Sequence, residues 1–190
     1  MKDNTSVNNN DDFIYKQSFY IGISLALSHA CMLLLFLYMH VYEMVIYNIA
    51  SVSYFMVIAY MAKTRRIKSA ILIVMTEIEI MVHQILAVHF VGLSYGFQYV
   101  LFSMMVPITL VLKNKKFRRY TVAKNIVAIS AFLLLFFIYS NSTPVYVIDN
   151  PLLEKASTIS LVAFTIGIEY YLILTSYKQL EKLVRESQEK

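Results

Sequence analysis

The chain has 190 residues, 58% of them hydrophobic and 15% charged, with a formal net charge of +5. A soluble domain carries about 45–50% apolar and about 25% charged residues, so this composition excludes an ordinary soluble domain. With 4 Gly and 3 Pro it excludes a collagen-like or low-complexity chain as well, and the single cysteine, Cys31, excludes an intrachain disulfide.

The first seventeen residues, MKDNTSVNNNDDFIYKQ, are polar and Asn-rich. A secretory signal would begin basic and carry a short apolar stretch ending in small residues. The apolar run that follows is long and uniformly bulky, so it reads as a retained first membrane helix. Six segments approach the roughly 20 apolar residues that a helix needs to cross hydrocarbon. They are 19–40, 44–62, 69–91, 93–112, 120–139 and 157–177. In a bilayer every backbone donor and acceptor is paired within its own segment, so these are helices. They lack the alternation of an outer-membrane barrel strand.

The connections sort by charge. KTRRIK separates the second and third segments, and KNKKFRRY the fourth and fifth; the two ends of the chain hold the remaining clusters. Of the seventeen Lys and Arg, all but Lys155 fall on one side of a six-span arrangement. The positive-inside rule makes that side cytoplasmic and puts both termini there. The expected fold is an all-α polytopic membrane protein of the inner or plasma membrane. A polar tail (1–17) leads into a six-helix bundle (18–177) and then a cytoplasmic helix (178–190). The longest outer loop is NSTPVYVIDNPLLE, rich in turn formers. Many of the 15 Tyr, among them Tyr20, Tyr38, Tyr60 and Tyr139, fall at segment ends as an aromatic belt. The basic clusters are explained by topology and acidic cytoplasmic lipid rather than by nucleic acid.

Ionisable groups inside a bilayer cost roughly 2.5–3.5 kcal/mol each on insertion scales, so they are the candidate site. The third segment holds TEIEIMVHQILAVH. Glu79 and His83 are four apart and share a helix face, whereas Glu77 lies about 160° round from Glu79. His89 follows nearly two turns beyond His83. The first segment contributes His29 near its middle and His40 at its outer end, about three turns apart and so on one face. The sixth contributes Glu169. Four readings of this set are open. It forms a network sensing outer pH or a small ligand; or it ligates haem or a metal ion, through His29 and His83 or through His40 and His89; or it lines a proton or ion path; or it is a hydrogen-bonded Glu–His pair that fixes helix packing. No HExxH, CxxC, Walker or nucleophile-elbow motif occurs, so catalysis by this chain is not expected.

The last segment runs without Pro, and with no Gly beyond Gly167, into YKQLEKLVRESQEK. Tyr177, Leu180, Val184 and Ser187 follow a 3-4-3 spacing, a short coiled-coil-like stripe. This predicts a helix that leaves the membrane uninterrupted and pairs two copies of the chain.

The stretch EIEIMVHQILAVHFVGLSYGFQYVLF, with Glu79, His83 and a short loop holding Gly92, Gly96, Phe97 and Tyr99, resembles a family of bacterial membrane modules. These stand at the N-termini of signalling proteins of low-GC Gram-positive bacteria, ahead of GGDEF diguanylate cyclase, class III cyclase or histidine kinase domains. LEKLVRESQEK is similar to the helix that joins such a module to its output. The 190 residues contain no GGDEF sequence, kinase His box or cyclase core. The resemblance therefore implies a regulatory input role and no catalysis. The alternative is a small six-helix transporter or substrate-binding subunit, which would be richer in Gly and Ala where helices unwind or pack closely.

Overall fold

The computed structural model describes residues 4–105 and 115–188. Every regular element among them is helical. The chain runs through α1 (Asn4–Tyr38), α2 (Tyr42–Thr64), α3 (Ser69–Val91), two 3₁₀ stretches (Leu93–Tyr95 and Phe97–Met105), α4 (Lys115–Tyr139) and α5 (Pro151–Gln188). Five helical stretches are long and apolar enough to cross a membrane: Asp12–Tyr38, Tyr42–Thr64, Ser69–Val91, Val122–Tyr139 and Pro151–Thr175.

Helix ends follow local chemistry. α1 includes most of the polar start, with no break near residue 17. It ends where the His40 N–H bonds the Leu37 carbonyl and the Val41 N–H bonds the Phe36 carbonyl. His40 takes the left-handed conformation, φ 58°. This is a Schellman stop, completed by the fully buried Phe36 and Val41. α2 ends on a second left-handed residue, Arg65. α5 starts six residues earlier than the hydropathy run at 157. Asn150 caps it by accepting from the Leu153 N–H at 3.0 Å, and Pro151 occupies the first helical position, where its missing N–H costs nothing.

The fourth expected helix differs most. Gly92 and Gly96 sit at φ 88° and 80°, a region that side chains other than glycine's resist. They interrupt α-helical propagation, and the chain proceeds from Phe97 to Met105 as a 3₁₀ helix. The rest of that segment, 106–112, lies outside the described residues.

The chain divides into two compact units, Met1–Val82 and His83–Lys190. In the first, Ile58, Ala62 and Leu72 form a core with Tyr15, Phe19, Tyr54 and Met75 packed on it. Tyr15 donates to the Ile67 carbonyl, and Asp12 pairs with Arg65 at 2.9 Å, so the α2–α3 turn is fastened to α1. In the second unit the buried residues include Phe97, Leu101, Ala128 and Leu161. Phe102 packs on Phe132 of α4, ring centroids 4.7 Å apart.

Candidate functional site

Within the first unit the ionisable residues converge. Glu79 on α3, His29 on α1 and Ser51 on α2 are all buried. Ser51 donates to Glu79 Oε1, and His29 Nε2 stands 3.6 Å from the same oxygen. The Tyr47 phenol on α2 is a further hydrogen-bond partner of the carboxyl. The opposite ring nitrogen of His29, Nδ1, meets the Leu25 carbonyl at 2.8 Å. A carbonyl only accepts, so Nδ1 carries the hydrogen. That fixes the tautomer and leaves Nε2 as the atom facing Glu79. The Phe55 ring lies 5.0 Å from the imidazole, and Tyr54 donates to the Met75 carbonyl one turn before Glu79. The result is a three-helix polar knot in which one carboxyl gathers a hydroxyl, a phenol and an imidazole. It can hold or pass a proton, and it ties three helices at one point.

Glu79 was the residue that sequence singled out, but its partners here come from α1 and α2. Ser51 and Tyr47 were not anticipated. Their signal was present in YNIASVSY: Tyr47, Ser51 and Tyr54 recur at i, i+4 and i+7, a polar line along one face of an apolar helix.

In the second unit His83 and Gln84 are buried at the start of a polar patch. Their side chains meet at 3.1 Å, and the His83 ring stands 6.2 Å from Phe97. Gln98 donates to the Leu93 carbonyl. The carbonyl oxygens of Gln84 and Gln98 are buried without a hydrogen-bond partner among the described residues.

The turn after α3 is bound to the start of α5. Ser94 donates to Glu154 at 3.1 Å, Ser157 to the Tyr95 carbonyl at 3.1 Å, and Thr158 to the Ser94 carbonyl at 2.8 Å. Gly96 lies so close that an added Cβ would be 2.9 Å from Thr158 Cα. The Tyr95 phenol reaches the Ile148 carbonyl at 3.3 Å. The loop between α4 and α5 continues the fastening. Val145 and Tyr146 donate their N–H groups to the His89 and Phe90 carbonyls, satisfying acceptors that a helix end leaves open. His89 itself is exposed and bonds the Tyr139 phenol at 3.0 Å. His89 was expected as a site residue and Gly96 as part of the loop that carries the resemblance, but Ser94, Glu154, Ser157 and Thr158 were not anticipated, since Ser and Thr near turns are too common to stand out.

His40 is exposed, and its Nδ1 lies 3.3 Å from the Tyr42 hydroxyl; its main structural part is the left-handed stop of α1. Glu77 and Glu169 are half-buried. Tyr177 and Val184 are exposed on α5, while the side chains of Leu180 and Ser187 lie outside those described. Among the described residues no group of three or more His, Cys, Asp or Glu could hold a metal ion. No family model matches the chain, and neither a curated protein nor a solved structure does.

Proposed function

We propose that this chain is the membrane-embedded input module of a signalling protein. In this reading it crosses the plasma (inner) membrane six times, with both termini cytoplasmic. A change at the clasp around Ser94, His89 and Glu154, or in the Glu79 knot, is relayed by the last helix to a cytoplasmic output. By the resemblance above that output is a diguanylate cyclase, nucleotide cyclase or kinase, and two copies pair through the C-terminal stripe.

The observation that carries this reading is the continuity of α5. It runs 38 residues from Pro151 to Gln188 without a break, a length of about 57 Å at 1.5 Å per residue. Its first turns hold the three hydrogen bonds of the clasp. A displacement there meets no break in the helix, which stays α-helical through its one glycine, Gly167. A relay also needs two states close in energy, so that a small stimulus shifts their populations.

The test removes the clasp and watches the far end. Spin labels at Lys63→Cys and Arg185→Cys, in a Cys31→Ser background in lipid vesicles, report the tail by electron–electron distance measurement. Ser157→Ala with Thr158→Val should shift or broaden the distribution. Distributions that superimpose with and without the clasp would sink the relay.

A further inference from the structure

We infer that a second copy of this chain docks along the entire length of α5, through its membrane-spanning part as well as its tail. The inference deepens the proposed function, since it rests on α5 crossing the membrane and extends the expected pairing of the tail.

The argument starts from register. The spacing that picks out Tyr177, Leu180, Val184 and Ser187 continues backward without a slip. Steps of alternating three and four residues reach Ile173, Tyr170, Ile166, Ala163, Ile159 and Ala156, and then Leu152. α5 contains eight charged residues, and none of them falls on this line. Every position on it whose side chain is described is exposed: Ile159 by 69%, Tyr170 by 63%, Tyr177 by 66% and Val184 by 47%.

The opposite face of the same helix is already occupied. Leu161 lies two residues from both Ile159 and Ala163, about 160° round the helix, and is only 3% exposed. Ser157 and Thr165, one turn to either side of it, are buried too, and Ser157 is held in the clasp. One side of α5 therefore belongs to its own chain, and the stripe points the other way.

Lipid contact alone accounts for exposed Ile and Tyr only as far as the apolar stretch extends. That stretch ends at Thr175, yet the line goes on in the same register through Tyr177 and Val184, where the neighbouring residues are charged. A partner that follows the line in both solvents accounts for both halves. A strict seven-residue repeat drifts by about 20° per heptad on a straight helix, so the partner would wind round it left-handed, crossing at about 20°. Ala156 and Ala163 supply the small side chains that let two backbones approach in lipid.

The area is of the right order. Tyr170 and Tyr177, at the exposures given, offer roughly 200–300 Å² together if a buried aromatic covers 150–250 Å². Five exposed aliphatic positions and the alanines bring one face to the order of the 800 Å² per partner of a stable interface. Copies inserted with the same orientation pair their last helices in parallel, so each seam position meets itself.

Single cysteines in a Cys31→Ser background, oxidised in vesicles, test this. Ile159→Cys, Ile166→Cys, Ile173→Cys, Tyr177→Cys and Val184→Cys should give disulfide-linked dimers at least ~10-fold faster than Tyr171→Cys, Thr175→Cys and Arg185→Cys. Cross-linking confined to positions 177 and 184 overturns the membrane half while leaving the tail pairing of the proposed function intact. Equal rates at all positions indicate collision and overturn it entirely. Independently of any seam variant, wild-type chains labelled at the exposed Cys31 with donor or acceptor dyes should retain energy transfer on lipid dilution. Ala163→Phe should cut that transfer several-fold. A wild type that dilutes to monomer also overturns the inference.

Discussion

At the scale of single residues, His40 separates conformation from chemistry. Sequence offers it as a ligand, because a histidine at a helix end is a natural sensor. The structure gives it the left-handed stop of α1, a place where glycine is at ease and other residues pay about 1–2 kcal/mol. His40→Gly should therefore raise stability by about 0.5–1 kcal/mol after the extra chain entropy of glycine. That corresponds to a few degrees of Tm at this chain length, read by thermal unfolding in detergent. His40→Ala should not raise it. A Gly variant less stable than the Ala variant would mean that the imidazole itself matters. Glu79 is the converse case. Its carboxyl was legible as a site because a buried charge in an apolar helix needs a reason. Its partners were not, because Ser51 and Tyr47 are ordinary residues until tertiary packing brings α2 against α3. Hydrogen bonds between helices in lipid average about 0.6 kcal/mol and reach about 1.7 in double-mutant cycles. A cycle of Ser51→Ala and Glu79→Gln should give a coupling in that range, measured by reversible unfolding in mixed micelles. Zero coupling would remove Ser51 from the knot.

At the scale of elements, the apolar runs located α1, α2, α3 and α5 because helices in this chain are written in long uninterrupted stretches. α3 was legible to the residue, since basic residues precede it and Gly92 follows it. What hydropathy could not register is geometry that leaves composition unchanged. Residues 97–105 are nearly as apolar as α3 and more so than the other helices, but the glycines at 92 and 96 change how the chain enters that run, and it winds as a 3₁₀ helix. The start of α5 was misplaced for a related reason: the capping Asn150 and Pro151 sit in a stretch that reads as loop by composition. The joint between these two elements is tight at Gly96. Gly96→Ala would need both a positive φ and a Cβ 2.9 Å from the backbone of Thr158. The variant should lose more than the about 1 kcal/mol typical of a misplaced backbone conformation. It should also loosen the start of α5, visible as faster amide exchange at residues 153–158. Unchanged exchange there, with Tm unchanged, would show that the contact yields freely.

At the scale of the whole molecule, charge and hydropathy make different demands on residues 93–112. The described helices include five stretches fit to cross a membrane, and five crossings would leave the two ends of the chain on opposite sides. The basic cluster KNKKFRR, 113–119, then decides between five and six. If 93–112 does not cross, that cluster stays on the far side from KTRRIK, and five cations face the wrong compartment against the positive-inside bias. If it does cross, every basic cluster returns to one side. The 3₁₀ stretch is compatible with a crossing on length: nine residues at about 2.0 Å each cover about 18 Å. That leaves about 12 Å of a roughly 30 Å core for VPITLVL, 106–112, an apolar sequence. Six crossings, the arrangement proposed above, are the one in which the charge clusters fall on one side. Single cysteines at Lys16 and at Lys178, in a Cys31→Ser background, report the two ends of the apolar region directly. With a membrane-impermeant maleimide on sealed cells, both should stay unlabelled until the membrane is opened, whereas Ser142→Cys in the α4–α5 loop should label at once. Labelling of Lys16→Cys but not Lys178→Cys in intact cells would establish five crossings. It would move the start of α1 to the outside and leave the C-terminal half of the topology, with α5 carrying its stripe inward, as proposed.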